Sequence, residues 1–151
     1  MISYLIDINV WLAMTWDRHP QHASAVRWHD SIKDVTLLFC RFTQLGFLRL
    51  LTNRQVMGDS TITVTGALQL YDRWKQDPAV ELAPEPLGTE TLFRQALARF
   101  GRLSATKAIA DCYLVGFAEA AGAHLVTFDQ GLAESARRRQ VAVTLLHPRP
   151  I

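Results

Sequence analysis

The stretch Tyr4-Leu5-Ile6-Asp7-Ile8-Asn9-Val10 decides the fold. Residues 2–6 form an apolar run, broken only by Ser3, that stops abruptly at a carboxylate. A short apolar run bounded in this way suits a strand buried on both faces of a sheet. Asp7 then stands at the carboxyl end of that strand, the edge at which open α/β sheets bind ligands. Working outward, the question is which other chemistry reaches the same edge.

Similar apolar runs recur at residues 35–39, 123–128 and 141–146, and a shorter one at 79–83. Pro78 and Pro84 flank the last of these and suit an edge strand. The segments between read as helices. Residues 10–15 make a short helical turn. Pro20 is placed to open a helix running to Lys33. Residues 41–53 are helical, with Leu45, Leu48 and Leu51 on one face. Residues 57–60 form a loop in which Asp59 or Ser60 caps a helix burying Val64, Ala67, Leu68, Tyr71 and Trp74. Residues 90–100 follow, stopped by Gly101. The helix over 105–121 is apolar nearly all round and is therefore expected to be buried, with Gly122 ending it. Residues 131–139 make a last helix, and Pro148 and Pro150 end the chain. Strands alternating with helices predict an α/β fold with a parallel sheet covered on both faces.

At 151 residues the chain is expected to be a single domain, 1–151, with a sizeable core. Apolar residues make up 49% and charged residues 20%, an ordinary globular balance that argues against disorder. A net charge of +2 permits a nucleic-acid partner without demanding one. Cys40 and Cys112 match no redox or metal spacing and read as reduced core thiols of a cytoplasmic protein. No stretch approaches a membrane span, and no signal peptide is evident.

Asp7 and Asp129 both end strands, and Asp111 lies on the apolar helix that leads into the second of them. Each has a structural reading. Asp7 can cap the turn at Ile8, Asp129 can serve a turn, and Asp111 can pair with Lys107 one turn earlier. Together they point to a shared site, because an aspartate on a buried helix is costly unless paired or metal-bound. Crowded carboxylates need a positive partner, and a hard divalent cation with oxygen ligands meets that need.

The segments Leu5-Ile6-Asp7-Ile8-Asn9-Val10-Trp11-Leu12-Ala13, residues 40–53, Ile109-Ala110-Asp111-Cys112-Tyr113-Leu114 and Leu125-Val126-Thr127-Phe128-Asp129 resemble, in order, the PIN-domain proteins. The likeness is greatest to the VapC-type ribonuclease toxins of bacterial toxin–antitoxin pairs. The resemblance implies a three-layer α/β/α sandwich with a central parallel sheet in strand order 3-2-1-4-5. It further implies an endoribonuclease dependent on Mg²⁺ or Mn²⁺, a homodimer, and a cognate antitoxin encoded beside it. Asp7, Asp111 and Asp129 fall on the family's acidic positions, as catalytic and metal-holding residues. A further family acid opens the helix after the second strand; here Gln44 takes that place and carries no charge, so one firmly bound metal is expected. Asn9, Gln44 and Thr127 are the expected supporting residues.

Other signals read more simply. His19, His22 and His29 lack the further ligands of a zinc site. Arg137, Arg138 and Arg139 suit a helix C-terminus. Trp11 and Trp16 are expected to pack. A haloacid-dehalogenase-type phosphatase would need a second aspartate where Asn9 stands, and no Gly-rich turn supports dinucleotide binding. The alternative of another class is a PIN-fold module that binds RNA or a partner through a weakened or inactive site.

Overall fold

The computed structural model describes residues 1–147; the expected terminal prolines, Pro148 and Pro150, lie outside the described residues. The elements run β1 (Ile2–Ile6), α1 (Ile8–Thr15), α2 (His22–Ser31), β2 (Val35–Phe39), α3 (Arg41–Leu51), α4 (Arg54–Met57), α5 (Val64–Gln76), β3 (Val80–Leu82), α6 (Thr89–Leu97), α7 (Thr106–Ala121), β4 (His124–Thr127), α8 (Gln130–Arg138) and β5 (Val143–Leu145). Short 3₁₀ turns follow α4 and α6. The five strands form one parallel sheet in the order β3-β2-β1-β4-β5.

Alternation along each strand explains the continuous apolar runs. Tyr4 and Ile6 of β1, Leu37 and Phe39 of β2, and Val126 of β4 pack into one core with α1, α2, α3 and α5. Leu5, Leu38 and Leu125, one residue out of phase, pack into a second core with α6, α7 and α8. Side chains on both faces are buried towards the strand ends, so those positions are almost all apolar; the exception is Thr127, whose hydroxyl is hydrogen-bonded. The result is the three-layer α/β/α sandwich. β1 lies at the centre, and its neighbours β2 and β4 are reached by crossovers on opposite faces. This makes the carboxyl ends of β1 and β4 the crevice of the sheet.

Several helices depart from the sequence expectation. α2 starts at His22 rather than at Pro20, which lies in the preceding turn. On α3 the buried residues are Thr43, Phe47 and Leu51, while Leu45 is 51% exposed. Thr63, not Asp59 or Ser60, caps α5 by accepting the Gly66 N–H. The inner stripe of α5 is Ala67, Leu70, Tyr71 and Trp74; Val64 and Leu68 face outward at 68% and 44% exposure. α7 is not buried all round, since Ile109 is 54% exposed. Gly122 ends α7 as expected, in the left-handed region at φ 63°.

Candidate active site

Asp7 follows β1 directly. Its N–H continues the ladder to the Val126 carbonyl of β4 at 3.0 Å. Its carboxylate then does two things at once. Oδ1 accepts the Ile8 N–H at 2.8 Å, capping α1, and Oδ2 accepts the Thr127 hydroxyl at 2.7 Å. The capping reading and the site reading of Asp7 thus hold together. Thr127 is fully buried, and its Oγ1 also accepts the Asp129 N–H at 3.0 Å. One hydroxyl therefore ties together the ends of the two central strands.

Asp129 is the N-cap of α8, its Oδ1 accepting the Leu132 N–H at 3.0 Å. Its Oδ2 pairs with the Lys107 ammonium. Lys107 sits in the first turn of α7 and Asp111 one turn later. The expected Lys107–Asp111 pair does not form; Lys107 reaches across to Asp129 instead. Asp111 makes no hydrogen bond or ion pair among the described residues.

These groups share a cavity of about 760 Å³ at the carboxyl edge of the sheet. Asp7, Asn9, Asp111, Asp129 and Lys107 line it together with Phe42, Gly46, Arg49, Asn53 and Arg54. The acids feel one another. Burial raises the Asp7 carboxyl above the usual range, only partly offset by the Thr127 and Ile8 hydrogen bonds, and the Asp129 charge adds to the rise. Burial and the Asp129 and Asp7 charges lift Asp111 to about 6, against the pull of Lys107. Burial opposes ionisation of Asp129 too, but the Lys107 ammonium and the Leu132 N–H outweigh it and hold this carboxyl low.

Of the expected residues, Asp7, Asp111, Asp129 and Asn9 line the cavity, and Thr127 lies just beneath it. Gln44 is the exception. It lies two residues along α3 from Phe42, on the other side of the helix, where its Oε1 accepts from the Arg41 guanidinium. The helix period (3.6 residues) brings 42, 46 and 49 to the cavity and turns 44 away. Arg49, Asn53 and Arg54 were not expected from the sequence. The signal for Arg49 is that stripe, opposite the buried Thr43, Phe47 and Leu51; Asn53 and Arg54 arrive from the turn into α4 and have no such signal.

The remaining candidates are absorbed by the fold. Trp11 is buried and stacks on Phe39 at 3.8 Å. His22 Nδ1 bonds the Ala13 carbonyl, and His19 Nδ1 accepts the Gln21 N–H. Arg138 pairs with Glu134 and Arg139 with Glu119. Cys40 and Cys112 are buried free thiols.

The donor chemistry at the cavity, carboxylate oxygens without a soft ligand, suits a hard divalent cation. The unpaired, half-buried Asp111 is the group that most needs one. Among the described residues, however, no three Asp, Glu, His or Cys side chains are drawn together as a ready metal cage. Among the described residues, Lys107 is the cation that pairs with one of these acids.

A three-layer α/β/α sheet in order 3-2-1-4-5 with an acidic cavity at its switch point defines a class of protein, and the PIN domain family matches residues 4–138. The chain belongs to the PIN-domain family. Among its relatives is Ribonuclease VapC41 of Mycobacterium tuberculosis, 36% identical over 135 residues, covering 86% of this chain and 91% of the relative. Ribonuclease VapC39 of the same organism is 32% identical over 150 residues, covering 94% and 99%. Solved structures share the fold. VapBC2 from Rickettsia felis, bound to a DNA fragment from its promoter, aligns with TM-score 0.66 at 9% identity, over 97% of this chain and 100% of that one. Mycobacterium tuberculosis VapC20, described as a Sarcin-Ricin loop cleaving toxin, aligns with TM-score 0.64 at 13% identity, over 87% and 94%.

Proposed function

We propose that this protein is a divalent-metal-dependent endoribonuclease acting as the toxin of a toxin–antitoxin pair. The observation that carries the reading is the cavity itself, which Asp7, Asp111 and Asp129 from three elements line together with Arg49 and Arg54. Relatives named as VapC ribonucleases over most of the chain support the substrate class.

In this reading Asp7, Asp111 and Asp129 hold Mg²⁺ or Mn²⁺. When bound, such a cation supplies an activated water and offsets charge on a phosphodiester under attack. The chain's own groups do the positioning. Thr127 donates to Asp7 and accepts from the Asp129 backbone, so both acids are set by one buried hydroxyl. Asn9, at the exposed start of α1, offers an amide to the RNA or to bound water. Arg49 and Arg54 meet the phosphates.

A protein antitoxin, a homodimer and a cytoplasmic site of action complete the proposal. Structural relatives are solved as VapBC and FitAB assemblies, and no described helix is long and apolar enough to cross a membrane. The test is cleavage of structured RNA with Mg²⁺ or Mn²⁺ by wild type and Asp7→Asn. Cleavage by wild type, at least 100-fold reduced in the variant by the loss of a metal-holding carboxylate (an order-of-magnitude expectation), is the expected result. Equal inertness of both with either metal replaces the nuclease with a binding module.

A further inference from the structure

Lys107 occupies an unfavourable place for a lysine. It is in the first turn of α7, a 16-residue helix whose N-cap, Ala105, provides no side-chain cap. The positive end of the helix dipole repels a cation there. Nor does an ordinary helical pair with Asp111 account for it, because the ammonium pairs with Asp129 on another element. All three cavity acids act on it: Asp129 by contact, and Asp111 and Asp7 through their charges.

The contact is specific to one atom. Asp129 Oδ1 is engaged at the N-terminus of α8, where it accepts the Leu132 N–H. Oδ2 is the oxygen that α8 leaves free, and Oδ2 is the one that Lys107 takes. At the same time, among the described residues, Asp111 stands without a partner and no three acids are drawn together. The Lys107 side chain is 69% exposed, so solvent is open to it when it lets go.

We propose that Lys107 is the resident counter-ion of the metal site: its ammonium holds Asp129 Oδ2 in the metal-free protein, and a divalent cation binds by displacing it. This rests on the reading of the cavity as a metal site. The lysine then does two things. It stabilises the crowded acids while no metal is present, and it sets the cation concentration needed to load the site.

Calorimetric titration of Mn²⁺ and Mg²⁺ into wild type, Lys107→Met and Lys107→Arg tests this, together with the melting temperature of each without metal. Lys107→Met keeps the length of the side chain and removes the competing charge. It is expected to bind Mn²⁺ roughly five- to tenfold more tightly, as loss of a partly exposed ion pair and of like-charge repulsion implies. Its metal-free melting temperature is expected to fall and to be restored by Mn²⁺. Lys107→Arg keeps the charge and is expected to bind as wild type does, which guards against a purely steric effect. Cation binding by Lys107→Met that is equal to or weaker than wild type, in a folded protein, overturns the counter-ion role and leaves the metal site standing. Absence of binding in all three chains overturns both, and is recognised by the silence of wild type as well.

Discussion

At the scale of single residues, Asp111 shows how burial and charge act together. Its folded pKa of about 6 lies above the ordinary 3.8. Between those values the folded protein holds more protons than the unfolded chain, so stability falls as pH rises through that window. Below about pH 3 the effect vanishes, because both states are then protonated. Asp111→Asn removes the charge while keeping the shape. Without metal, the variant is expected to be more stable than wild type at pH 7.5 by on the order of 1 kcal/mol, after discounting for the half-exposed position. At pH 4 most of that difference should be gone. Urea unfolding at both pH values checks this, and equal stability at pH 7.5 counts against the strain. The positions of Asp7, Asp111 and Asp129 were legible in sequence because strand ends and an apolar helix announce them. The partner of Lys107 was not legible. Spacing along α7 offered Asp111, and the approach of the β4–α8 corner offered Asp129 at closer range. Gln44 was misplaced for a similar reason: family position marks the helix, but helical phase decides which side faces the cavity.

At the scale of elements, α7 holds Lys107 and Asp111 in place through its packing on α6. At Gly116 the two helices come into close approach. A Cβ built there would lie 2.7 Å from the Phe93 N and 2.9 Å from the Phe93 Cα. Those are backbone atoms and cannot rotate away, so α6 and α7 must separate. Gly116→Ala is expected to destabilise the protein by about 1–3 kcal/mol, as overpacking does in a close-packed core. The midpoint of urea unfolding reports it, and an unchanged midpoint would show that α6 shifts freely. The strands were read correctly to within a residue or two, since runs buried on both faces leave little ambiguity. The helices were harder. On α5 a period through Val64 and Leu68 is as good a stripe as one through Leu70 and Trp74. Which stripe turns inward depends on where α1 and α2 already lie, and neighbours in space are not neighbours in sequence.

For the whole molecule, charge distribution matters more than net charge. A formal +2 is too small to draw RNA to the surface at large. Attraction is expected to come from the cavity, which Arg49 and Arg54 line together with the acids. With catalysis suppressed by Asp7→Asn, the further double change Arg49→Ala and Arg54→Ala is expected to weaken RNA binding. It should also flatten the salt dependence of binding by about 1.4 in log–log slope, the value for two lost phosphate contacts on a single strand. Fluorescence anisotropy across a salt series measures this; an unchanged slope places the RNA elsewhere. The sequence by itself determined the α/β alternation, both buried faces of the sheet and the acids at its carboxyl edge. It could do so because hydrophobic period and the abrupt end of an apolar run are local properties. Tertiary structure alone decided which helix stripe lines the cavity, that Arg49 and Arg54 join it while Gln44 does not, and that Asp129 holds Lys107. Those are matters of distance between elements, set by how helices roll on the sheet, and no spacing along the chain encodes them.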